Sequence, residues 1–193
     1  MRKVPAKVLE PDDLCRLLKH AQTQRYPIRN KTIILLSFKA GLRASEIAGL
    51  DWQMVLASNN SVSDQLYISA NIAKKGSKRF IPLNSELKAA LITLHAKLRK
   101  PSSGPVIVSE RGNHMRSGAI VNYFSHLYRT LGLEGCSSHS GRRTFITNAA
   151  KAIVQTGGSL RDVQELAGHK AITTTELYIQ GDRAVQRKLI KLI

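Results

Sequence analysis

The stretch Ile28 to Ala40 (IRNKTIILLSFKA) constrains the fold more than any other part of the chain. Its apolar residues spread around most of a helical circumference, so a helix here must be buried on nearly all sides. At thirteen residues it falls well short of the roughly 18 apolar residues a membrane helix needs. Gly41 follows and supplies a left-handed stop. The chain therefore needs other elements to cover a strongly buried helix. With 193 residues, 42% of them hydrophobic, it has enough apolar material for one such core.

The surrounding segments supply that cover. Asp12 and Asp13 suit a helix start, with Leu14, Leu17 and Leu18 at helical spacing behind them. A short helix is expected from Ala44 to Leu50, and Asn84 caps another running toward Arg99. Further helices are expected over Ser117–Leu131, Ser140–Val154, Ser159–Leu166 and Thr173–Ile179, with Gly157, Gly158 and Gly168 as breaks. Asp64 to Ala70 alternates polar and apolar residues as a strand does, and Phe80 to Leu83 reads as its hairpin partner. The turn between them is basic: Lys74, Lys75, Gly76, Ser77 and Lys78. Val106 to Val108 is expected as one more short strand after the break PSSGP. The fold class is α+β, mostly α-helical with a small antiparallel sheet. Residues 1–10 read as a loose basic arm, 11–181 as one domain and 182–193 as a helical tail.

Charge narrows the partner. Thirty Lys and Arg against thirteen Asp and Glu leave a net +17, which on a folded chain points to a polyanion, foremost nucleic acid. Met1 is followed by Arg2, Lys3 and Pro5 without an apolar stretch, so no secretory signal is read. Cys15 and Cys136 alone make no disulfide framework and suit a reducing cytoplasm. The basic turn lacks phosphate-loop spacing, the six histidines form no HExxH or His/Cys cluster, and paired carboxylates are missing. Metal-dependent hydrolysis and nucleotide-dependent chemistry are accordingly not expected.

What stands out instead is an ordered set: Arg43 in GLRASEIAGL, a lysine in KKGSKRFIPL, His139 and Arg142 in SSHSGRRTFIT, and His169 and Tyr178 in LAGHKAITTTELYI. Two guanidiniums can hold the non-bridging oxygens of a phosphodiester while staying charged at any working pH. A tyrosine can attack phosphorus once a cationic site or a base activates its phenol, whose ordinary pKa is about 10. A flexible ammonium can protonate the leaving oxygen.

Each residue also has a plainer reading. Arg43 could pair with Glu46 on the surface, His139 could cap a helix, and His169 could stand exposed at a helix end. Tyr178 could be a core aromatic, since Leu177 and Ile179 flank it. Lys74 or Lys78 could replace Lys75. Glu46 reads as structural support orienting an arginine. Trp52, Tyr26, Tyr67, Tyr123 and Tyr128 read as packing.

The order and phrasing of these segments, from about Leu9 to Gln180, resemble the catalytic domain of the tyrosine recombinases, the phage-integrase-like family. The length resembles its short, catalytic-domain-only members, such as the invertases that switch fimbrial genes, or an excised domain, and no separate N-terminal core-binding domain is expected. The resemblance implies the tyrosine-recombinase catalytic-domain fold. It also implies site-specific cleavage and rejoining of DNA through a 3′-phosphotyrosine at Tyr178, without metal or cofactor. Arg43 and Arg142 would clamp the phosphate, Lys75 would protonate the 5′ oxygen, His139 would assist proton transfer and His169 would hydrogen-bond the phosphate. Lys74, Lys78, Arg79 and Arg143 are candidate DNA contacts. Implied partners are double-stranded recombination sites, further copies of the chain in a tetramer, and an accessory DNA-bending protein. A non-catalytic DNA-binding regulator and a type IB topoisomerase-like relaxase are the alternatives.

One departure from the family pattern is Gly141, where a bulky apolar residue usually precedes the arginine of H-x-x-R. Looser packing is expected there. The tail RAVQRKLIKLI sets Val185, Leu189, Ile190 and Ile193 on roughly one side. It would pack on its own domain or, by resemblance, dock on a neighbouring protomer.

Overall fold

A computed structural model describes residues 5–73, 76–178 and 190. Among these, the chain runs as helices α1 (Pro11–Gln22), α2 (Pro27–Lys39) and α3 (Ala44–Gly49), then the hairpin β1 (Gln65–Ile68) and β2 (Arg79–Pro82). Helices α4 (Ser85–Lys97), α5 (Ser117–Thr130), α6 (Ser140–Ala152), α7 (Leu160–Ala167) and α8 (Ile172–Glu176) follow. The architecture is the mostly helical α+β class expected, with one two-stranded antiparallel sheet. No helix of the described residues is long and apolar enough to cross a membrane.

Helix α2 is the central element. Of the nine positions from Asn30 through Phe38, all but Lys31 are buried on it, and it packs against α1, α3, α4 and α6. Ile33, Ile34, Leu35 and Leu36 are fully inaccessible. A full circle of buried side chains is what the sequence requires of a helix without a polar face. The large core around α2 also takes in Trp52, Leu66, Leu91, Phe124 and Tyr128. A second, much smaller apolar cluster joins Ile146 and Ala150 of α6 to Val163 and Ala167 of α7, with Tyr178 packed partly against it.

Four expectations need correction. The N-terminal arm is not loose where it is described, because Lys7 N–H bonds Gly135 O at 3.0 Å and Leu9 N–H bonds Thr144 Oγ1 at 2.9 Å. Leu9 is buried, which anchors the segment ahead of α1. Residues 106–108 form no ladder strand. Val106 and Ile107 are buried, but the segment makes only isolated bridges, such as Val108 with His114. Helix α6 tightens into a 3-10 turn over Ile153–Thr156 before Gly157 stops it. Helix α8 begins at Ile172 and ends before Tyr178. The tail expected over residues 183–193 lies outside the described residues, apart from residue 190.

The hairpin corrects a fifth reading. Its register pairs Leu66 with Ile81 and Ile68 with Arg79. Arg79 and Ile81 are buried, while Phe80 faces outward at 59% exposure, its ring tilted against that of Tyr67 with centroids 5.1 Å apart. The strand thus turns a charged side chain inward and a phenyl ring outward. Arg79 is therefore not an exposed contact for a DNA backbone.

Candidate active site

The site begins at the stop of α2. Gly41 adopts φ +63°, and a Cβ on it would run into the Phe145 ring of α6. That turn releases the chain so that Arg43 stands at the N-cap of α3. The Arg43 N–H donates to Glu46 Oε2 at 2.9 Å, and its Nη1 donates to Glu46 Oε1 at 2.9 Å.

Glu46 is wholly buried and has a second arginine. Arg79 reaches in from β2 and bonds both carboxylate oxygens, Nη1 to Oε1 and Nη2 to Oε2, each at 3.0 Å. Its Nε donates to Leu166 O, at the end of α7, at 3.0 Å. Burial alone would push the Glu46 carboxyl up. The hydrogen bonds and charge of Arg79, helped by Arg43, outweigh that and hold it below the usual carboxylate range. The surface ion pair that the sequence allowed for Arg43 is thus present as a pair, but it is sunk into the molecule.

Arg142 enters from the first turn of α6. Its Nη1 donates to Gly41 O at 2.7 Å and its Nη2 to Ala167 O at 2.6 Å. These carbonyls lie at the ends of α2 and α7, where helices leave acceptors unsatisfied. Burial, and then the charge of Arg43, lower its pKa to about 10, so it remains a cation at neutral pH. Gly141 beside it does not loosen the packing. A Cβ there would collide with the Ser37 hydroxyl and lie 2.8 Å from the Phe38 ring, so α6 sits against α2 at a distance only glycine permits.

His169 follows Gly168, the left-handed stop of α7 at φ +63°. Its Nε2 lies 3.1 Å from Arg142 Nη2, and its Nδ1 lies 2.9 Å from Thr175 Oγ1. A guanidinium can only donate, so Nε2 accepts and the proton sits on Nδ1, pointing at Thr175. Burial, followed by the charges of Arg142, Arg43 and Arg79, lowers the imidazole pKa to about 4. His169 is neutral at pH 7.

Tyr178 closes the arrangement. Its ring stacks on His169 at 5.7 Å with a 26° interplanar angle, and the Arg143 guanidinium lies 5.5 Å above it. The Tyr178 N–H bonds Thr175 O at 3.0 Å. It packs at the edge of the smaller core, not inside it. His139 stands exposed at the N-cap of α6, one turn ahead of Arg142.

The fold therefore brings together Arg43, Arg142, His169 and Tyr178, with Arg143 over the tyrosine and His139 at the mouth of the same helix. Lys78 is exposed on the hairpin, and Lys74 and Lys75 lie outside the described residues. Sequence reading missed Arg79 as the buried partner of Glu46 and Thr175 as the partner of His169. Strand alternation places Arg79 on the inner face with Ile81, and that was its one available signal. Among the described residues, no group of three or more His, Cys, Asp and Glu side chains could hold a metal ion.

A cationic cradle with a tyrosine against it can hold a phosphate beside a phenol. Residues 7–184 match the phage integrase family, and the chain belongs to it. The tyrosine recombinase XerC of Xylella fastidiosa (strain 9a5c) is 28% identical over 184 residues, 94% of this chain and 58% of that protein. XerC of Shewanella amazonensis is 30% identical over 184 residues, 93% of this chain and 58% of that protein. The chain spans about half the length of the curated relatives it matches. Among solved structures, the XerA recombinase superposes with a TM-score of 0.72 at 20% identity, over 100% of this chain and 65% of that one. The Tn1549 transposon integrase, solved in complex with a circular intermediate DNA, gives 0.78 at 21% identity, over 100% and 67%. At these identities the likeness to solved structures is one of fold.

Proposed function

We propose that this chain is the strand-cleaving domain of a site-specific tyrosine recombinase. The observation that carries the reading is the placement of Arg142. Fixed carbonyls at Gly41 and Ala167 hold it beside His169, and the Tyr178 ring stacks on that same imidazole. A guanidinium held in this way stabilises charge that develops on a phosphate, because it need not reorganise during the reaction.

In this reading the Tyr178 phenolic oxygen attacks phosphorus. A phosphotyrosyl bond forms on the 3′ side, and the bond to the 5′ oxygen breaks. The phenol's proton passes to His139 and the 5′ oxygen takes one from Lys75. Arg43 and Arg142 hold the non-bridging oxygens. A 5′-hydroxyl from another strand reverses the step, so the bond energy is conserved. The substrate is double-stranded DNA bearing recombination sites, and the working form is a homo-oligomer, a tetramer on paired sites, aided by a DNA-bending protein. Its setting is the cytoplasm. The net +17 charge supports a DNA partner.

Covalent trapping tests the proposal. Wild-type protein and a Tyr178→Phe variant are incubated with fragmented host DNA that includes the gene's own neighbourhood, denatured in detergent, and the attached DNA is sequenced. Adducts in the wild type that vanish in the variant are expected. Binding without any adduct, even after addition of host extract, would favour the regulator. Relaxation of a one-site plasmid without exchange between two sites would favour the topoisomerase-like relaxase.

A further inference from the structure

We infer that Thr175 is a positioning residue whose hydroxyl fixes the tautomer of His169 and, through it, the seat of the imidazole against Arg142. The inference rests on the proposed role of Arg142, but its first readout does not.

Thr175 is fully buried in the last turn of α8. Its Oγ1 lies 2.9 Å from His169 Nδ1, and its backbone carbonyl accepts the Tyr178 N–H at 3.0 Å. One residue thus meets the imidazole with its side chain and the tyrosine with its main chain. The far imidazole nitrogen faces Arg142 Nη2 at 3.1 Å. Since a guanidinium offers only N–H groups, the relay works in one protonation pattern: Arg142 donates to Nε2, and Nδ1–H donates to Thr175.

The His169 main chain is held separately. Gln164 Nε2 donates to His169 O at 3.0 Å and to Lys170 O at 3.3 Å. The ring's backbone is therefore fixed without Thr175, and the hydroxyl governs which nitrogen bears the proton. Without the hydroxyl, an Nδ1–H would be left as a buried donor with no partner, which is costly. The proton then moves to Nε2, where N–H meets N–H, and the imidazole shifts away from Arg142, which Gly41 O and Ala167 O still hold. A misplacement of that order at a reacting centre costs on the order of 10- to 100-fold in rate.

The test compares Thr175→Val, which keeps the shape and removes the hydroxyl, with Thr175→Ser, which keeps the hydroxyl. Ring-nitrogen NMR of the free protein at pH 7 reads the tautomer, with the His169 signal assigned by its loss in His169→Gln. Wild type and Thr175→Ser are expected to carry the proton on Nδ1, and Thr175→Val on Nε2. Covalent adduct formation should fall on the order of 10- to 100-fold in the valine variant and recover in the serine variant. An unchanged tautomer in Thr175→Val would overturn the inference, whether or not cleavage fell. If the valine variant does not fold, Thr175→Ala makes the same comparison. Because the tautomer is read without DNA, failure of Tyr178 to form an adduct would count against the proposed reaction and leave this result standing.

Discussion

Glu46 and Arg79 lie 33 residues apart in sequence and meet through two parallel hydrogen bonds of 3.0 Å, with side chains 0% and 5% exposed. Arg43, 18% exposed, shares the same carboxylate. One buried anion thus balances two arginines, while Arg142 adds a third positive charge whose Coulombic neighbours include both. Glu46→Gln keeps the shape and removes the anion. Breaking a buried pair from one side costs about 3–5 kcal/mol, because the remaining charge is left uncompensated. Urea unfolding should show a loss of that size, and strand cleavage should be abolished. A variant as stable as wild type would mean that Arg79 finds water in place of the carboxylate.

Lys78 and Arg79 are sequence neighbours with opposite expected behaviour. Lys78 is exposed and Arg79 is buried. If Lys78 meets a DNA phosphate, Lys78→Ala lowers the magnitude of the log–log salt slope of DNA binding by about 0.9, and as a surface change it leaves stability within about 0.5 kcal/mol. Arg79→Ala should cost stability on the scale of about 3–5 kcal/mol, since it leaves Glu46 buried with one partner fewer. Binding titrations at several salt concentrations, paired with denaturation curves, separate the two.

Gly141 predicts intolerance. Even alanine puts a methyl group within 2.8 Å of Phe38 and into the Ser37 hydroxyl. Overpacking of this kind costs about 1–3 kcal/mol, and the bulky apolar residue usual elsewhere in the family should cost more. Thermal melts of Gly141→Ala and Gly141→Leu, ranked in that order, are the check.

The His169 titration gives stability a pH dependence of known sign. Its folded pKa of about 4 lies below the ordinary 6.5, so the unfolded chain binds the extra proton first. Stability from this residue is therefore complete above 6.5 and is lost as pH falls toward 4. The Glu46 carboxyl, also held low, loses its contribution as pH falls below the ordinary carboxylate value of 4.5. His169→Gln should flatten the curve between 6.5 and 4 relative to wild type. Parallel curves for the two proteins would place the ring in contact with water.

The sequence made the helices, their stops and the hairpin legible because each carries a local signal: periodicity, caps, glycines and alternation. The ordered set of Arg43, Arg142, His169 and Tyr178 was legible as phrases, and the fold brings these four together. The partners were not legible. Arg79 looked like one more basic residue after Lys78, because the reason it turns inward lies at Glu46 and at Leu166 O, distant in sequence. Thr175 sat among three threonines, and only the return of α8 toward α7 shows which one meets the imidazole. Gly141 looked like a gap because a missing side chain in a sequence carries no record of the neighbouring helix that fills its place.

The two apolar clusters divide labour along the chain. The nucleophile candidate is moored to a handful of side chains around Ile146, Ala150, Val163 and Ala167, while the bulk of the hydrophobic contacts lie in the core around α2. Helices α7 and α8 bury far less apolar surface than α2, so they should open locally before the whole molecule unfolds, at the cost of the hydrogen bonds that Arg79 and Arg142 give to Leu166 O and Ala167 O. Amide exchange in α7 and α8 should outrun that in α2 by orders of magnitude. Exchange that fast would mean that the mooring of Tyr178 answers to a few local contacts, while the arginines keep their places in the folded body.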